Sequence, residues 1–178
     1  MTHTHPDDER SATLLASQQA VEATEAAVKV SVDTFVPALI PGPLQAPGYS
    51  RHVLSAAGLR GEDLDEAVLV RMDRSDYLSR HRCRFVITPA ALHLDHLPDR
   101  AQHMQRGLLT LFADRPTVDL RVLPTDAGVP WYGGFTIVDG RHVQMETPTG
   151  RLIVPDTYLA GYRDQFEALF AAAQPYHP

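Results

Sequence analysis

Apolar positions along this chain change their period repeatedly, and each change marks an element. Leu14, Leu15, Gln18, Val21, Glu25 and Val28 recur at helical spacing behind Ser11, a good N-cap, and predict a helix over Ser11 to Val28. Val30, Val32 and Thr34 then alternate with Ser31 and Asp33 before Phe35 and Val36, a strand that runs into the turn-rich segment Pro37 to Pro43. Tyr49, Val53, Leu54 and Ala57 return to helical spacing and stop at Gly58. From Asp63 to Arg80 the apolar stripe is Leu64, Ala67, Val68, Met72 and Leu78, with acids in the first turn and bases in the last, as the helix dipole favours.

Arg84 to Thr88 reads as a buried strand, and Arg100 to Asp114 as a helix presenting Met104, Leu108, Leu111 and Phe112 to the core until Pro116 stops it. Val118 to Leu123 alternates as a strand. Gly133 to Val138 and His142 to Glu146 flank Asp139-Gly140, a strong hairpin signal, and Arg151 to Val154 extends the meander. Pro155 opens a last helix carrying Tyr158, Leu159, Tyr162, Phe166, Leu169 and Phe170 on one face. The resulting order, α, β, α, α, β, α, β, β, β, β, α, predicts an α+β fold: one domain over 11–178 with helices packed on a mixed or antiparallel sheet of about five strands. Residues 1–10, polar and acidic, are expected to be a disordered tail.

Composition narrows the classes. At 178 residues with 44% hydrophobic positions, a single core suffices without staples, and one cysteine, Cys83, excludes a disulfide framework and a cysteine-rich zinc site. No stretch is long and apolar enough to be read as a membrane span or a secretory leader, so the expected compartment is the cytoplasm. A net charge of -6, with basic residues dispersed, argues against direct nucleic-acid binding. Phosphate loop, dinucleotide fingerprint and nucleophile elbow are all missing.

Several segments in combination resemble the C-terminal, antitoxin-like domain of actinobacterial XRE-type helix-turn-helix regulators. The resemblance rests on Ile40-Pro41-Gly42-Pro43-Leu44-Gln45-Ala46 followed by Tyr49-Ser50-Arg51, on Arg71-Met72-Asp73-Arg74-Ser75, on Leu120-Arg121-Val122-Leu123-Pro124, on Gly133-Gly134-Phe135 and on Glu146, and spans roughly Val30 to Ala173. Departures fall in the motif loops: Pro43, Ala46 and Ser75 replace the family's Leu, Thr and Gln, Thr88-Pro89 stands for an acidic pair, and Pro130 for a His. About thirty residues precede the matched region, too few for a helix-turn-helix, so a module without its DNA reader is expected, turned to ligand or partner binding.

Candidate chemistry is concentrated in a few side chains. Arg71 falls within its helix's apolar stripe, where a guanidinium must be paired; it is either a structural ion pair or an anchor for a ligand anion, and Arg74 could share the role. Glu146 shares a strand face with Gln144 and His142, while Val143 and Met145 face the other way. If that polar face meets water Glu146 is inert; if it lines a cavity, Glu146 is the acid/base candidate. Trp131 and Tyr132 either cap a core or form a lid whose phenol donates. Gln45, Tyr49 and His52 sit at a loop-to-helix junction, and Tyr158 begins the last helix, so all four are candidate binding residues.

His93 and His96 are three apart, with no third ligand placed by sequence, and no metal or cofactor is assigned. The reading is a cofactor-independent acid/base enzyme of specialised-metabolite biosynthesis, a cyclase or lyase catalysing dehydration, conjugate addition or ring closure. Glu146 would be the base, with Arg71 and Tyr132 as donors. The alternative is an antitoxin-like or sensor module acting through a small partner protein. Besides the small-molecule ligand, a homodimer is the other association left open.

Overall fold

The computed structural model describes residues 31–131, 133–147 and 150–178. The expected tail and the helix Ser11 to Val28 lie outside them, as does Tyr132. The first period-two segment forms the centre of the sheet. β1 (Val32–Val36), β2 (Cys83–Ile87) and β3 (Val118–Val122) pair in parallel, Phe35 opposite Val86 and Phe85 opposite Leu120. α1 (Pro47–Ala56) and α2 (Gly61–Asp73) connect the first pair, and α3 (Asp99–Ala113) the second. The chain steps the same way across the sheet both times, and crossovers of one hand then place these helices on one face.

On the other side of β1 an antiparallel meander is added: β4 (Phe135–Val138), β5 (His142–Thr147) and β6 (Gly150–Val154). Asp139 and Gly140 turn the hairpin with φ of 49° and 60°, the left-handed pair a tight two-residue turn needs. α4 (Leu159–Ala172) crosses back, and β7 (Gln174–Pro175) pairs antiparallel with β3, giving the order β6-β5-β4-β1-β2-β3-β7. The fold is therefore α+β with a mixed sheet, of seven strands where about five were expected. The element order read from the sequence already holds six strands, and the one it lacks is the two-residue edge β7, too short to have a period.

Alternation divides the core in two. Val32, Cys83, Phe85, Ile87, Val118, Leu120 and Val138 pack under α1 and α3 with Tyr49, Leu109 and Phe112. Phe35, Val86, Phe135, Ile137 and Val143 pack under α4 with Phe166 and Leu169. At the α4 side Arg84 binds Asp33 through two 2.7 Å bonds, reaches Glu167 at 2.8 Å and lies over the rings of Phe166 and Phe170. This network raises the Arg84 guanidinium above its usual range, first through the bond to Asp33, and lowers Glu167 through the bond to Arg84.

Two boundaries and one helix face differ from the expectations. The helix drawn to Arg80 stops at Asp73 and tightens into a 3-10 turn, Arg74–Ser79. The last helix starts at Leu159 after a 3-10 turn, Asp156–Tyr158, which leaves Tyr158 61% exposed rather than on the packing face. In α3, Met104 and Leu111 are exposed, and Gln105 is buried with Leu109 and Phe112. The cause is the neighbouring loop. Gln105 Oε1 accepts from the Ala46 N–H at 2.7 Å and its Nε2 donates to the Leu44 carbonyl at 2.8 Å. Satisfying those buried backbone groups outweighs two methionine- or leucine-sized contacts, and the helix turns accordingly.

Candidate ligand-binding site

The α1–α3 layer stops short of β4 and β5, and a cavity of about 250 Å³ opens there between the sheet, the 37–43 loop and α2. Its floor is a row of polar residues on the inward phase of three adjacent strands. Thr34 stands opposite Thr136, and Thr136 opposite Gln144. The threonine hydroxyls are 3.2 Å apart and bond to each other. Gln144 is 5% exposed, and its Oε1 has no hydrogen-bond partner. Glu146, two residues on and on the same face, lines the mouth as an exposed carboxylate with Arg151 of β6 as its cross-strand neighbour. Gly134 at the rim is needed for close approach: a Cβ there would stand 3.1 Å from the Phe35 carbonyl oxygen and 3.3 Å from Pro37 Cδ.

The loop wall is held by side chains. Both backbone groups of Ile40 are satisfied from the start of α1, since its N–H donates to the Tyr49 hydroxyl at 3.1 Å and its carbonyl accepts from Gln45 Nε2 at 2.7 Å. Gln45 Oε1 accepts in turn from the Ser50 hydroxyl at 3.1 Å and from Arg71 Nη1 at 2.7 Å. Arg71, 9% exposed, is thereby fixed at the cavity wall with Gln45 beside it. Apolar contacts come from Val32, Val36, Leu39, Val53 and Tyr77. The site thus combines a buried guanidinium, acceptor-rich strands and an apolar flank.

Of the residues singled out in the sequence, Arg71, Gln45 and Glu146 come together at this cavity. Tyr49 stands behind it as a support for Ile40. His52 is exposed and pairs with His96 at a ring separation of 4.7 Å, outside the cavity lining. Trp131, 43% exposed, meets Phe35 edge-on at 5.6 Å, and Phe35 belongs to the α4 side of the sheet. Trp131 and Tyr158 therefore lie across the sheet from Arg71, and one cavity shared by the Arg71 and Tyr158 helices is not what the fold builds. For Arg74 the backbone alone is described, in the first turn after α2. Thr34, Thr136 and the orphaned Gln144 amide were not picked out as binding groups, although a polar residue at the inward phase of a strand was their signal. Among the described residues no group of three or more His, Cys, Asp or Glu could hold a metal ion.

Burial raises the Tyr49 phenol above its usual 10.0, against smaller lowering effects of the Ile40 bond and the Arg71 charge. A raised folded-state value means stability is unaffected below the unfolded value and lost as pH climbs through the folded one. Stability is thus expected to hold up to about pH 10 and fall beyond it. Tyr49 should ionise at higher pH than an exposed tyrosine. Tyr176 is raised by burial in the same way, so the check is tyrosinate absorbance of the Tyr176→Phe variant against pH. A titration in which every remaining tyrosine ionises together near the usual value would contradict it.

These features define a mixed-sheet α+β domain with a partly polar cavity at the edge of its helical layer. The chain belongs to the family described as Domain of unknown function (DUF5753), whose model matches residues 18–177. No curated protein matches it. Among solved structures it is similar to the crystal structure of a phospholipase D family member, Nuc from Salmonella typhimurium, at 10% identity and a TM-score of 0.45, over 92% of this chain and 88% of that one. At that level the likeness carries nothing about activity. No helix among the described residues is long and apolar enough to cross a membrane.

Proposed function

We propose that this protein binds a compact, partly polar organic molecule in the cavity beneath the 37–43 loop. The observation that supports this most is Gln144: a side-chain carbonyl 5% exposed as a residue, without a partner, on the floor of an accessible cavity. An orphaned buried acceptor costs roughly 1–3 kcal/mol, and a ligand donor placed there recovers it. The volume, about 250 Å³, lies just below the usual span of ligand pockets, roughly 300–1,000 Å³, which suits a small metabolite better than a long flexible chain.

The test is a thermal-shift screen of small metabolites against the wild type and Gln144→Leu. A ligand at a hundred times its Kd adds about 2.7 kcal/mol to the wild type. Stabilisation of the wild type alone supports the cavity, and equal stabilisation of both proteins rejects it.

A second reading, that the bound molecule also reacts, draws on the presence of Glu146 at the same cavity. In a cofactor-independent dehydration, conjugate addition or cyclisation, Glu146 would take the proton while Arg71 steadies developing negative charge. Glu146→Gln would then lower turnover by about 10² to 10⁴ with affinity nearly unchanged. A Glu146 that only binds shows the reverse, weaker affinity and no turnover to lose.

A further inference from the structure

The polarity of the cavity is divided between its two sides, and that division narrows the ligand. The sheet side is rich in acceptors, the orphaned Gln144 Oε1 and the Glu146 carboxylate, beside the Thr34–Thr136 hydroxyl pair, which can both accept and give its one remaining O–H. Gln144 and Glu146 are successive inward residues of β5, about 6.6 Å apart along the strand, so one small group with several N–H donors can lie between their side chains. The helix side offers the opposite. Arg71 carries only donors and a fixed positive charge, held at the wall by Gln45. Between them the flank is aliphatic, from Val36, Leu39 and Val53.

A purely anionic ligand would place its charge where Arg71 favours it and leave Gln144 without a donor. A purely cationic one would suit Gln144 and Glu146 but meet Arg71 unfavourably. A molecule bearing both charges fits both sides. We infer that the ligand is a small zwitterion of the amino-acid type: an ammonium group on Gln144 and Glu146, a carboxylate towards Arg71, and a short apolar body against Val36 and Val53. The inference rests on the proposed cavity binding and adds the class of the ligand.

Calorimetric titration separates the two. The probes are L-valine, L-leucine and L-phenylalanine, each beside its deaminated acid and its decarboxylated amine, so that body is constant and only charge changes. At least one amino acid is expected to bind, about tenfold or more tighter than either counterpart, since each lost charged hydrogen bond is worth at least that factor. Glu146→Gln, at an exposed position that does not threaten folding, should weaken the amino acid about tenfold and leave the deaminated acid unchanged. Gln144→Leu should weaken amino acid and amine together. The zwitterion class is overturned if an acid or amine binds as tightly as its parent, if Glu146→Gln affects acid and amino acid alike, or if no amino acid binds. Cavity binding itself fails only if no metabolite of the screen depends on Gln144.

Discussion

Exchanging Gln45 for leucine is expected to lower the unfolding free energy by about 3–5 kcal/mol and to remove ligand binding with it. Leucine keeps the volume and loses every polar contact. The Ile40 carbonyl would lose its 2.7 Å donor, and Arg71, 9% exposed, the acceptor held 2.7 Å from its Nη1. A hydrogen bond to a charged group is worth roughly 1.5–3 kcal/mol, and an orphaned buried carbonyl costs about 1–3 more. The Ser50 hydroxyl loses its acceptor too. Binding is lost because Arg71 gives up its Gln45 acceptor and the 37–43 loop, which forms the cavity wall, keeps only the Tyr49 bond of its two ties at Ile40. Urea unfolding monitored by circular dichroism measures this. An unchanged slope with a loss below about 1 kcal/mol would show that Gln45 does not carry the wall.

The second large effect is expected on α3. Gln105→Leu should cost about 2–5 kcal/mol, because it strands the Ala46 N–H and the Leu44 carbonyl, each worth roughly 1–3 when buried without a partner. Gln105→Glu keeps an acceptor for Ala46 and loses only the donor to Leu44, so it should fall between. Met104→Gln, one position away on the exposed side, should stay within about 0.5 kcal/mol of wild type. Thermal melts of the three variants give the ranking. Should Met104→Gln be the most damaging, α3 faces the core as its apolar spacing suggests and the structure's assignment of that face is wrong.

That contrast shows what could be read from the sequence and what could not. Val32, Phe85 and Val143 alternate cleanly, and each falls on the face its phase predicts, because in a strand position alone sets direction. The Asp139-Gly140 turn was legible for the same reason: few residues adopt two consecutive left-handed conformations. α3 was misread because its rotation is decided by a loop some sixty residues away, through the Gln105 bonds to Leu44 and Ala46. The site was half legible. Arg71 inside an apolar stripe and Glu146 on a polar strand face both pointed to the cavity. Trp131 and Tyr158 misled because an aromatic side chain in a loop or at a helix start reports apolar contact without saying on which side of the sheet it is made.

The central claim is that a ligand sits on the Thr34–Thr136–Gln144 row. Side-chain amide resonances of Gln144 and Gln45 in a nitrogen-15 spectrum report this directly, with the indole of Trp131 as an internal reference across the sheet. Titration with a metabolite that raises Tm is predicted to shift the Gln144 side-chain amide and the backbone amides of Thr34 and Thr136, leaving Trp131 in place. Shifts gathered around Trp131 and Tyr158, with the Gln144 amide unmoved at saturation, would place the ligand on the α4 face and contradict the account.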